Sequence, residues 1–319
     1  MKKFMFIGAA ALAMFAATGF TAPAGYQAES MYLTTTSKLD AEYTNCKFNC
    51  KDFSGLELSG IVEVNLVKSD SYKVEITLPN VLKEYLQVWV NNGVLKIGWN
   101  KNIPSKLQKE LGNWTCKAEI AMPKLRKLEM SGATSLKCDD TFDLGREEIS
   151  LDLSGASKIK SLNVNAEKLD AEISGACSYK LTGNFNEAEL DLSGAASGSF
   201  KINADKAEVD VSGAAKTNMD GNFGKIEVDA SGACILNLNG KVGKLEVDAS
   251  GASNVKAMDA EIEDALLETS GTANCSVNVT NSLMIEDATG ASHINYKAPK
   301  NLGVMTKSIG RMASVNRVN

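Results

Sequence analysis

Apolar and polar residues alternate one by one in short stretches along most of the chain. Between residues 206 and 212, for example, Ala207, Val209 and Val211 alternate with charged or hydroxyl-bearing residues. This period of two is typical of a β-strand with one buried face. No window keeps a helical apolar period for more than about two turns, so the pattern predicts strands over most of the chain.

A Ser-Gly or Thr-Gly pair ends these stretches at a nearly constant spacing. The glycines of these pairs are 23, 20, 19, 19, 19, 19, 20 and 19 residues apart: Gly132, Gly155, Gly175, Gly194, Gly213, Gly232, Gly251, Gly271 and Gly290. A unit of about 20 residues is too small to bury its own apolar face, and it is half as long as a propeller blade. We therefore predict an all-β fold, a single-stranded parallel β-helix with coils of about 19–20 residues. The general rule for parallel crossovers makes it right-handed.

The corner after each strand has its own chemistry. Glycine permits the positive φ or sharp bend at which the chain leaves one sheet for the next. Two residues later the side chain is always small, as a crowded inside corner requires: Thr134, Ser157, Cys177, Ala196, Ala215, Cys234, Ser253, Ala273 and Ser292. The hydroxyl before each glycine points outward, where it either stabilises the stacked strands or hydrogen-bonds sugars.

Residues 51–125 are also β-rich but lack the repeat. Asn92 and Gly93 form a strong two-residue hairpin signal. Residues 79–86 predict one short helix, and residues 100–114 predict a loop. Because Ser59 and Gly60 repeat the corner motif, we expect a widened, hairpin-bearing start to the same solenoid, which covers the open edge of its first coil. The repeats proper then occupy residues 126–319.

The N-terminus has the pattern of a secretory leader. Lys2 and Lys3 precede an apolar stretch at residues 4–20, and small residues at 22–24 suit cleavage. We predict a signal peptide at residues 1–24 and an N-terminal extension at residues 25–50. A membrane anchor is the alternative, but the stretch is short and polar residues follow it. The exported protein is then expected in a periplasmic, cell-surface or extracellular location.

Outward positions of the repeat form three charged columns. Three residues before each corner glycine stand Glu129, Asp152, Glu172, Asp191, Asp210, Asp229, Asp248, Glu268 and Asp287. Five residues before it stand Asp170, Glu189, Glu208, Glu227 and Glu246, and seven before it stand Lys168, Lys206, Lys225 and Lys244. Like charges side by side in a sheet are destabilising, so something must offset the repulsion.

Two interpretations offset that repulsion. In the first, the lysine column and water do so, and the charged stripe keeps the long sheet soluble. In the second, calcium or a cationic or carbohydrate ligand lies along the two columns of acidic residues. The candidate ligating residues are then Asp191, Asp210, Asp229, Asp248, Glu189, Glu208, Glu227 and Glu246. Calcium is the cofactor that this interpretation allows, and it would raise the melting temperature.

The seven cysteines divide by position into two groups. Cys138, Cys177, Cys234 and Cys275 stand in inward or corner columns, and Cys46, Cys50 and Cys116 stand outside them. Cys177 and Cys234 are three coils apart, about 14 Å at the usual strand spacing, which is too far to bridge. The first four are therefore expected to be buried small hydrophobes. We expect a disulfide between Cys46 and Cys50. Zinc binding by Cys46, Cys50 and Cys116 is an alternative that no spacing supports.

An ordered series of motifs gives the chain a resemblance to a known family. The series comprises Phe53, Leu56, Leu58, Gly60 and Val64, then Val74 and Ile76, then Gly93, Leu95 and Ile97, then Pro123, Leu125, Leu128 and Ser131-Gly132-Ala133, followed by the Ser-Gly-Ala repeats. In this the chain resembles the auto-transporter adhesin head (GIN domain) family of Bacteroidota-type bacteria, over roughly residues 50–310. The resemblance implies an exported β-helical protein with an adhesive or surface role. It supplies no catalytic residues.

Function is predicted from the regular face and the charge. The net charge of −5 argues against nucleic acid as a partner and does not favour an anionic membrane surface. The single histidine, His293, supports no nucleophile–histidine–acid arrangement. We expect a non-enzymatic, adhesin-like protein whose partner is a glycan or a protein. The alternatives are a carbohydrate-active β-helix enzyme, disfavoured by the uniform coils, and an envelope protein that associates with itself through its solenoid end.

Overall fold

The alternating strands stack into a parallel β-solenoid of about ten coils. The computed structural model describes residues 42–100 and 103–318. The predicted signal peptide and most of the predicted extension lie outside the described residues. No helix in the described part of the chain has the length and apolar composition needed to span a lipid bilayer.

The N-terminal region begins the solenoid and adds antiparallel strands to it. Its strands are β1 (Tyr43–Lys47), β2 (Gly55–Leu58), β3 (Ile61–Lys68), β4 (Lys73–Pro79), β5 (Leu86–Asn91), β6 (Val94–Trp99) and β7 (Lys117–Met122). β2 and β3 pair in parallel with strands of the repeat, whereas β1, β4 and β5 pair antiparallel to their neighbours. The predicted hairpin-bearing start of the solenoid is therefore present.

Of three predictions for this region, two are confirmed and one is wrong in part. The hairpin between β5 and β6 turns at Asn92 and Gly93, which both have positive φ, and a 3₁₀ helix spans Asn80–Tyr85 as predicted. The expected loop at residues 100–114 is wrong in part, because it contains the helix α1 (Ser105–Leu111). Leu111 is buried in the core and Leu107 packs against it. One apolar pair in two turns is too short a period to stand out in the sequence.

Each coil of the repeat is largely one long, bent strand. The strands are β8 (Lys127–Met130), β9 (Ala133–Asp143), β10 (Glu148–Leu153), β11 (Lys158–Ile173), β12 (Ser178–Leu192), β13 (Ser197–Val211), β14 (Lys216–Ala230), β15 (Ile235–Ala249), β16 (Asn254–Thr269) and β17 (Asn274–Ala288). In each coil, a return segment joins the strand after one corner to the strand before the next. In the structure the return is also paired, as at Asn184 and Asn203, because equal coil lengths place its backbone groups in register.

Apolar residues of equivalent positions stack along the axis to form the core. Leu190, Val209, Val228 and Val247 are successive register partners, and all are buried. Each coil makes most of its contacts with other elements against the coils above and below it. The core is therefore a continuous column, which is the arrangement expected for repeats of this size.

The corner glycines hold the coils together closely. All nine have φ between 65° and 78°. At Gly213 a Cβ atom would lie 2.8 Å from the carbonyl oxygen of Gly194, and the amide of Ala214 donates to that same oxygen at 2.8 Å. The corner thus requires glycine for its φ and also for the approach of the preceding coil.

The last described strands are β18 (His293–Lys297), β19 (Val304–Ile309) and β20 (Ser314–Arg317). β18 and β19 form one coil, and β20 begins the next. β19 pairs in parallel with β17, and β20 pairs with β18. The corner between β19 and β20 departs from the repeat. The amide of Gly310 donates to the carbonyl oxygen of Ala288, whereas a serine or threonine amide makes this bond in earlier coils. Arg311 then stands at the position of the corner glycine. The inward side chains of β19, such as Ile309, are exposed because no further coil is described beneath them.

Candidate functional site

A column of carboxylates runs along the face formed by the second half of each coil. Its members are register partners in consecutive strands: Glu57, Glu129, Asp152, Glu172, Asp191, Asp210, Asp229, Asp248, Glu268 and Asp287. We call this set the acidic column. The members from Asp152 to Asp248 are exposed, whereas Glu268 and Asp287 are half-buried. Glu57, which the repeat spacing did not reveal, extends the column into the N-terminal region.

A second column of acidic residues lies beside the first. Asp170, Glu189, Glu208, Glu227 and Glu246 are successive register partners and form what we call the glutamate column. The flanking lysine column is interrupted at Glu187, which lies between Lys168 and Lys206. Beyond Glu246 the glutamate column becomes apolar, continuing through Leu266 and Met284 to Met305.

The lysines neutralise most of the glutamate column and leave the acidic column unpaired from Asp152 onward. Ion pairs join Lys168–Glu189, Lys206–Glu208, Lys225–Glu227, Lys225–Glu246 at 3.1 Å and Lys244–Glu246 at 2.6 Å. In the acidic column, Glu57 pairs with Lys96 and Glu129 pairs with Lys127. From Asp152 to Asp287, none of the described lysines or arginines lies within ion-pair distance of the acidic column.

Carboxyl groups in the two columns have pKa values that shift in opposite directions. Asp210 is exposed, but the pKa of its carboxyl is raised. Partial desolvation is the main cause, and the negative charges of the neighbouring Asp191 and Asp229 add to it. Lys244, followed by Lys225, lowers the pKa of Glu246. The carboxylate form is disfavoured at Asp210 and favoured at Glu246. The expectation that lysines offset the repulsion thus describes the glutamate column and not the acidic column.

A shallow groove of about 190 Å³ lies between the columns, lined in part by Glu227, Asp229, Glu246 and Asp248. Within residues 42–100 and 103–318, no group of three or more Asp, Glu, His or Cys side chains is arranged to hold a metal ion. Calcium binding along these columns stays a prediction. The groove offers rows of carboxylate oxygens, which accept hydrogen bonds from hydroxyl or ammonium groups.

A ladder of asparagines, which sequence reasoning missed, runs along the return segments of successive coils. Asn184 donates from Nδ2 to Oδ1 of Asn165 at 2.9 Å, Asn203 donates to Asn184 at 2.8 Å, and Asn222 donates to Asn203 at 3.0 Å. The ladder borders a groove of about 460 Å³ that Thr182, Lys201 and Asp220 also line. Alignment of the return segments on the corner glycines would have revealed it, because these asparagines are 19 residues apart.

An aromatic recess marks the break in the repeat near the N-terminal end. The rings of Trp99 and Trp114 lie edge to face with centroids 5.2 Å apart. They line a recess of about 190 Å³ together with Gly60, Ile61, Asn100, Ile103 and Gln108. A Cβ atom at Gly60 would lie 2.5 Å from Trp99, so the corner glycine also makes room for the indole. The length of the 100–114 segment and its flanking tryptophans were the sequence signal for this recess.

The seven cysteines are all free thiols in the structure. Cys138, Cys177, Cys234 and Cys275 are buried as predicted. Desolvation raises the pKa of Cys138 to about 11 and those of Cys116 and Cys275 to about 12. The expected Cys46–Cys50 bridge is not formed in the structure, where Cys46 is buried in β1 and Cys50 is half-buried beyond it. This bridge stays a prediction for the exported protein.

The hydroxyls that precede the corner glycines, and the single histidine, were the remaining polar candidates from the sequence. The hydroxyls of Ser154 and Ser174 lie 3.4 Å from carbonyl oxygens of the preceding coil, to which they donate. His293 is exposed on β18, beside Asn274 and Ser314 in the neighbouring strands. These positions add no reactive group to the acidic column.

Comparisons with known proteins identify relatives of this solenoid. The family model described as "Putative auto-transporter adhesin, head GIN domain" matches residues 52–201 and 190–299. A crystal structure of a "putative adhesin" from Parabacteroides distasonis is 18% identical, covers 88% of this chain and 98% of its own, and has a TM-score of 0.51. A "putative adhesin" from Parabacteroides merdae is also 18% identical, with the same coverage and a TM-score of 0.49. The search of curated proteins finds no match.

Proposed function

Because the chain belongs to the family described as "Putative auto-transporter adhesin, head GIN domain", we propose that it is a non-enzymatic exported interaction protein. It presents the acidic column to a glycan or protein partner at the cell surface. The family supports an exported or cell-surface role in general terms. The choice of this face rests on its own geometry and charge.

The observation that carries the proposal is the unequal neutralisation of two neighbouring columns. The lysines pair with Glu189, Glu208, Glu227 and Glu246, while Asp191, Asp210, Asp229 and Asp248 keep exposed carboxylates with no described cation within ion-pair distance. A face needed only for solubility gains from interspersed charges of both signs, as in the glutamate column. A long single-sign stripe destabilises the sheet and is suited to a partner that supplies the missing donors.

The rigidity of the face favours binding. Each aspartate sits on a strand whose backbone is paired on both sides, so the carboxylates repeat at about the 4.8 Å strand spacing. A ligand with regularly spaced hydroxyl or ammonium donors can contact several coils at once. Because the groups are already ordered, little conformational entropy is lost when the ligand binds.

The experiment compares two variants with equal loss of acidic charge. The first carries Asp191→Asn, Asp210→Asn, Asp229→Asn and Asp248→Asn. The control carries Asp205→Asn, Asp220→Asn, Glu261→Gln and Glu263→Gln, which are exposed residues away from the acidic column. Both variants and the unmodified protein are tested on an array of neutral, anionic and amino-sugar glycans and on an array of extracellular-matrix proteins.

We expect the control to bind as the unmodified protein does and the acidic-column variant to lose binding. Equal binding by both variants would assign recognition to another face and overturn the proposal. The absence of binding to either array by the unmodified protein would also count against it. Parallel polysaccharide-degradation assays test the non-enzymatic part, because release of new sugar ends would establish an enzyme.

A further inference from the structure

The C-terminal end of the solenoid differs in charge from the rest of the chain. No Asp or Glu follows Asp287, whereas five cationic residues do: Lys297, Lys300, Lys307, Arg311 and Arg317. Residues 288–319 therefore carry a formal charge of +5. Since the whole chain carries −5, residues 1–287 carry −10. The net charge of the whole chain averages over two regions of opposite sign.

Exposed apolar side chains concentrate at the same end. Met305 is 58% exposed, Ile309 47%, Met312 74% and Val318 36%. They make up half of the large apolar side chains that are exposed in the described part of the chain. The glutamate column also becomes apolar here, passing from Glu246 through Leu266 and Met284 to Met305.

The cations alternate along the chain with these apolar side chains, and some of them form no ion pair with the described acidic residues. We define the terminal surface as Lys300, Met305, Lys307, Ile309, Arg311, Met312 and Val318. Lys307 pairs with Glu286, which partly neutralises it. Lys300 and Arg311 are exposed, and the described acidic side chains form no ion pair with them. Arg317, in β20, donates to the carbonyl oxygen of Ala298 at 2.8 Å.

We propose that the terminal surface docks onto an anionic lipid bilayer. Apolar side chains that insert at the level of the headgroups, ringed by Lys and Arg that contact anionic headgroups, bind an interface by two additive terms. The acidic body of the solenoid is repelled by the same anionic surface. The attraction of the terminal surface and the repulsion of the acidic body together orient the solenoid. Its C-terminal end rests on the bilayer, and its acidic column extends away from the bilayer.

A second copy of the chain is a poorer match for this surface. The acidic column supplies negative charge, but the exposed large apolar side chains before β19 do not lie on it. Those residues are Tyr43, Val67, Val81 and Trp89, and they lie in the N-terminal region, where charges of both signs are interspersed. An anionic bilayer interface offers negative charge and an apolar layer in one place.

The test is flotation with vesicles of phosphatidylcholine alone and of phosphatidylcholine mixed with phosphatidylglycerol. One variant carries Met305→Ser and Met312→Ser, and a second carries Lys300→Glu and Arg311→Glu. The control carries Lys201→Glu and Lys216→Glu, two exposed lysines in the middle of the solenoid. All share the same N-terminus, so any contribution from residues 1–24 is common to them. Circular dichroism establishes that each variant is folded.

We expect binding to the anionic vesicles that weakens as salt is added, with little binding to phosphatidylcholine. Each Lys or Arg near an anionic surface strengthens binding, so reversal of two charges lowers the partition coefficient by roughly thirtyfold or more. The methionine variant is also expected to lose binding, because its insertion term is removed. The control is expected to bind as the unmodified protein does.

Three results would overturn the proposal. The first is that the unmodified protein does not float with anionic vesicles. The second is that the methionine variant binds normally, since the surface would then attract any polyanion by charge alone. The third is that light scattering without vesicles shows oligomers that the terminal-surface variants abolish, which would identify a second copy as the occupant. None of these results bears on the array test of the acidic column.

Discussion

At the scale of single residues, the corner glycine meets two independent requirements. Gly213 has a φ of 68°, and its missing side chain leaves space for the carbonyl of Gly194 in the preceding coil. The first requirement belongs to the turn itself and is visible in the local sequence. The second exists only because coils stack, and it repeats down the column: a Cβ at Gly232 would lie 2.8 Å from the oxygen of Gly213.

We expect Gly213→Ala to lower the free energy of unfolding by about 2 kcal/mol or more. The left-handed conformation alone costs roughly 1–2 kcal/mol for a residue with a Cβ atom, and the contact with Gly194 adds to this. Urea unfolding followed by circular dichroism measures the loss. Gly303→Ala is the matched control, because nothing lies within 4 Å of its added Cβ in the structure and its φ is not positive. Equal losses for both variants would show that the corner imposes no special constraint.

At the scale of the strand, two columns of carboxylates two residues apart behave differently. Glu246 reaches Lys244 on its own strand and Lys225 on the neighbouring one, whereas Asp210 contacts other carboxylates. Distance from the lysine column accounts for this difference, since the glutamate column lies two residues from the lysines and the acidic column lies four. Each strand of the middle coils therefore carries one stabilising acidic position and one destabilising position.

We expect Asp210→Asn to raise stability at neutral pH and Glu246→Gln to lower it, each by some tenths of a kcal/mol. The pKa of Asp210 is raised in the fold, so its unfavourable contribution is absent below its unfolded pKa and complete above its folded one. The pKa of Glu246 is lowered, so its favourable contribution is present above its unfolded pKa and is lost as pH falls through its folded one.

Urea unfolding of both variants at neutral pH and at a pH below both folded-state pKa values tests the assignment. The two differences from the unmodified protein should have opposite signs at neutral pH and should shrink at acidic pH. Added sodium chloride should reduce both, because these carboxylates are accessible to screening. A destabilising Asp210→Asn would contradict the unpaired acidic column.

At the scale of the whole molecule, the solenoid is a stack of nearly equivalent coils. β12 to β15 follow one another with matching register along almost their entire length. Contacts are made between adjacent coils, so stability is approximately the sum of coil and interface terms. The ends differ from the middle, since antiparallel strands cover one end and the terminal surface lies at the other.

Deletion of residues 214–232 is expected to leave a folded solenoid shorter by one coil. It removes one 19-residue period and joins Gly213 to Ala233, so every column stays continuous. Far-ultraviolet circular dichroism should keep its β character, and the denaturant m value should fall slightly because less surface is buried. Deletion of residues 214–223 is the control, and it should unfold the protein because it breaks every column. Equal disruption by the two deletions would contradict a stack of equivalent coils.

Much of the fold and of the face follows from the sequence, because the relevant signals are local and repeated. A period of two assigns inward and outward residues, and Gly132 to Gly290 set the register between coils. Together they predict the buried cysteines and the alignment of Asp191 with Asp210. Only the tertiary structure decided which carboxylates the lysines neutralise, where Trp99 meets Trp114 and that cations and apolar residues meet in the last coil. Those features depend on side-chain reach and on contacts across coils or at the end of the stack, which strand periodicity does not encode.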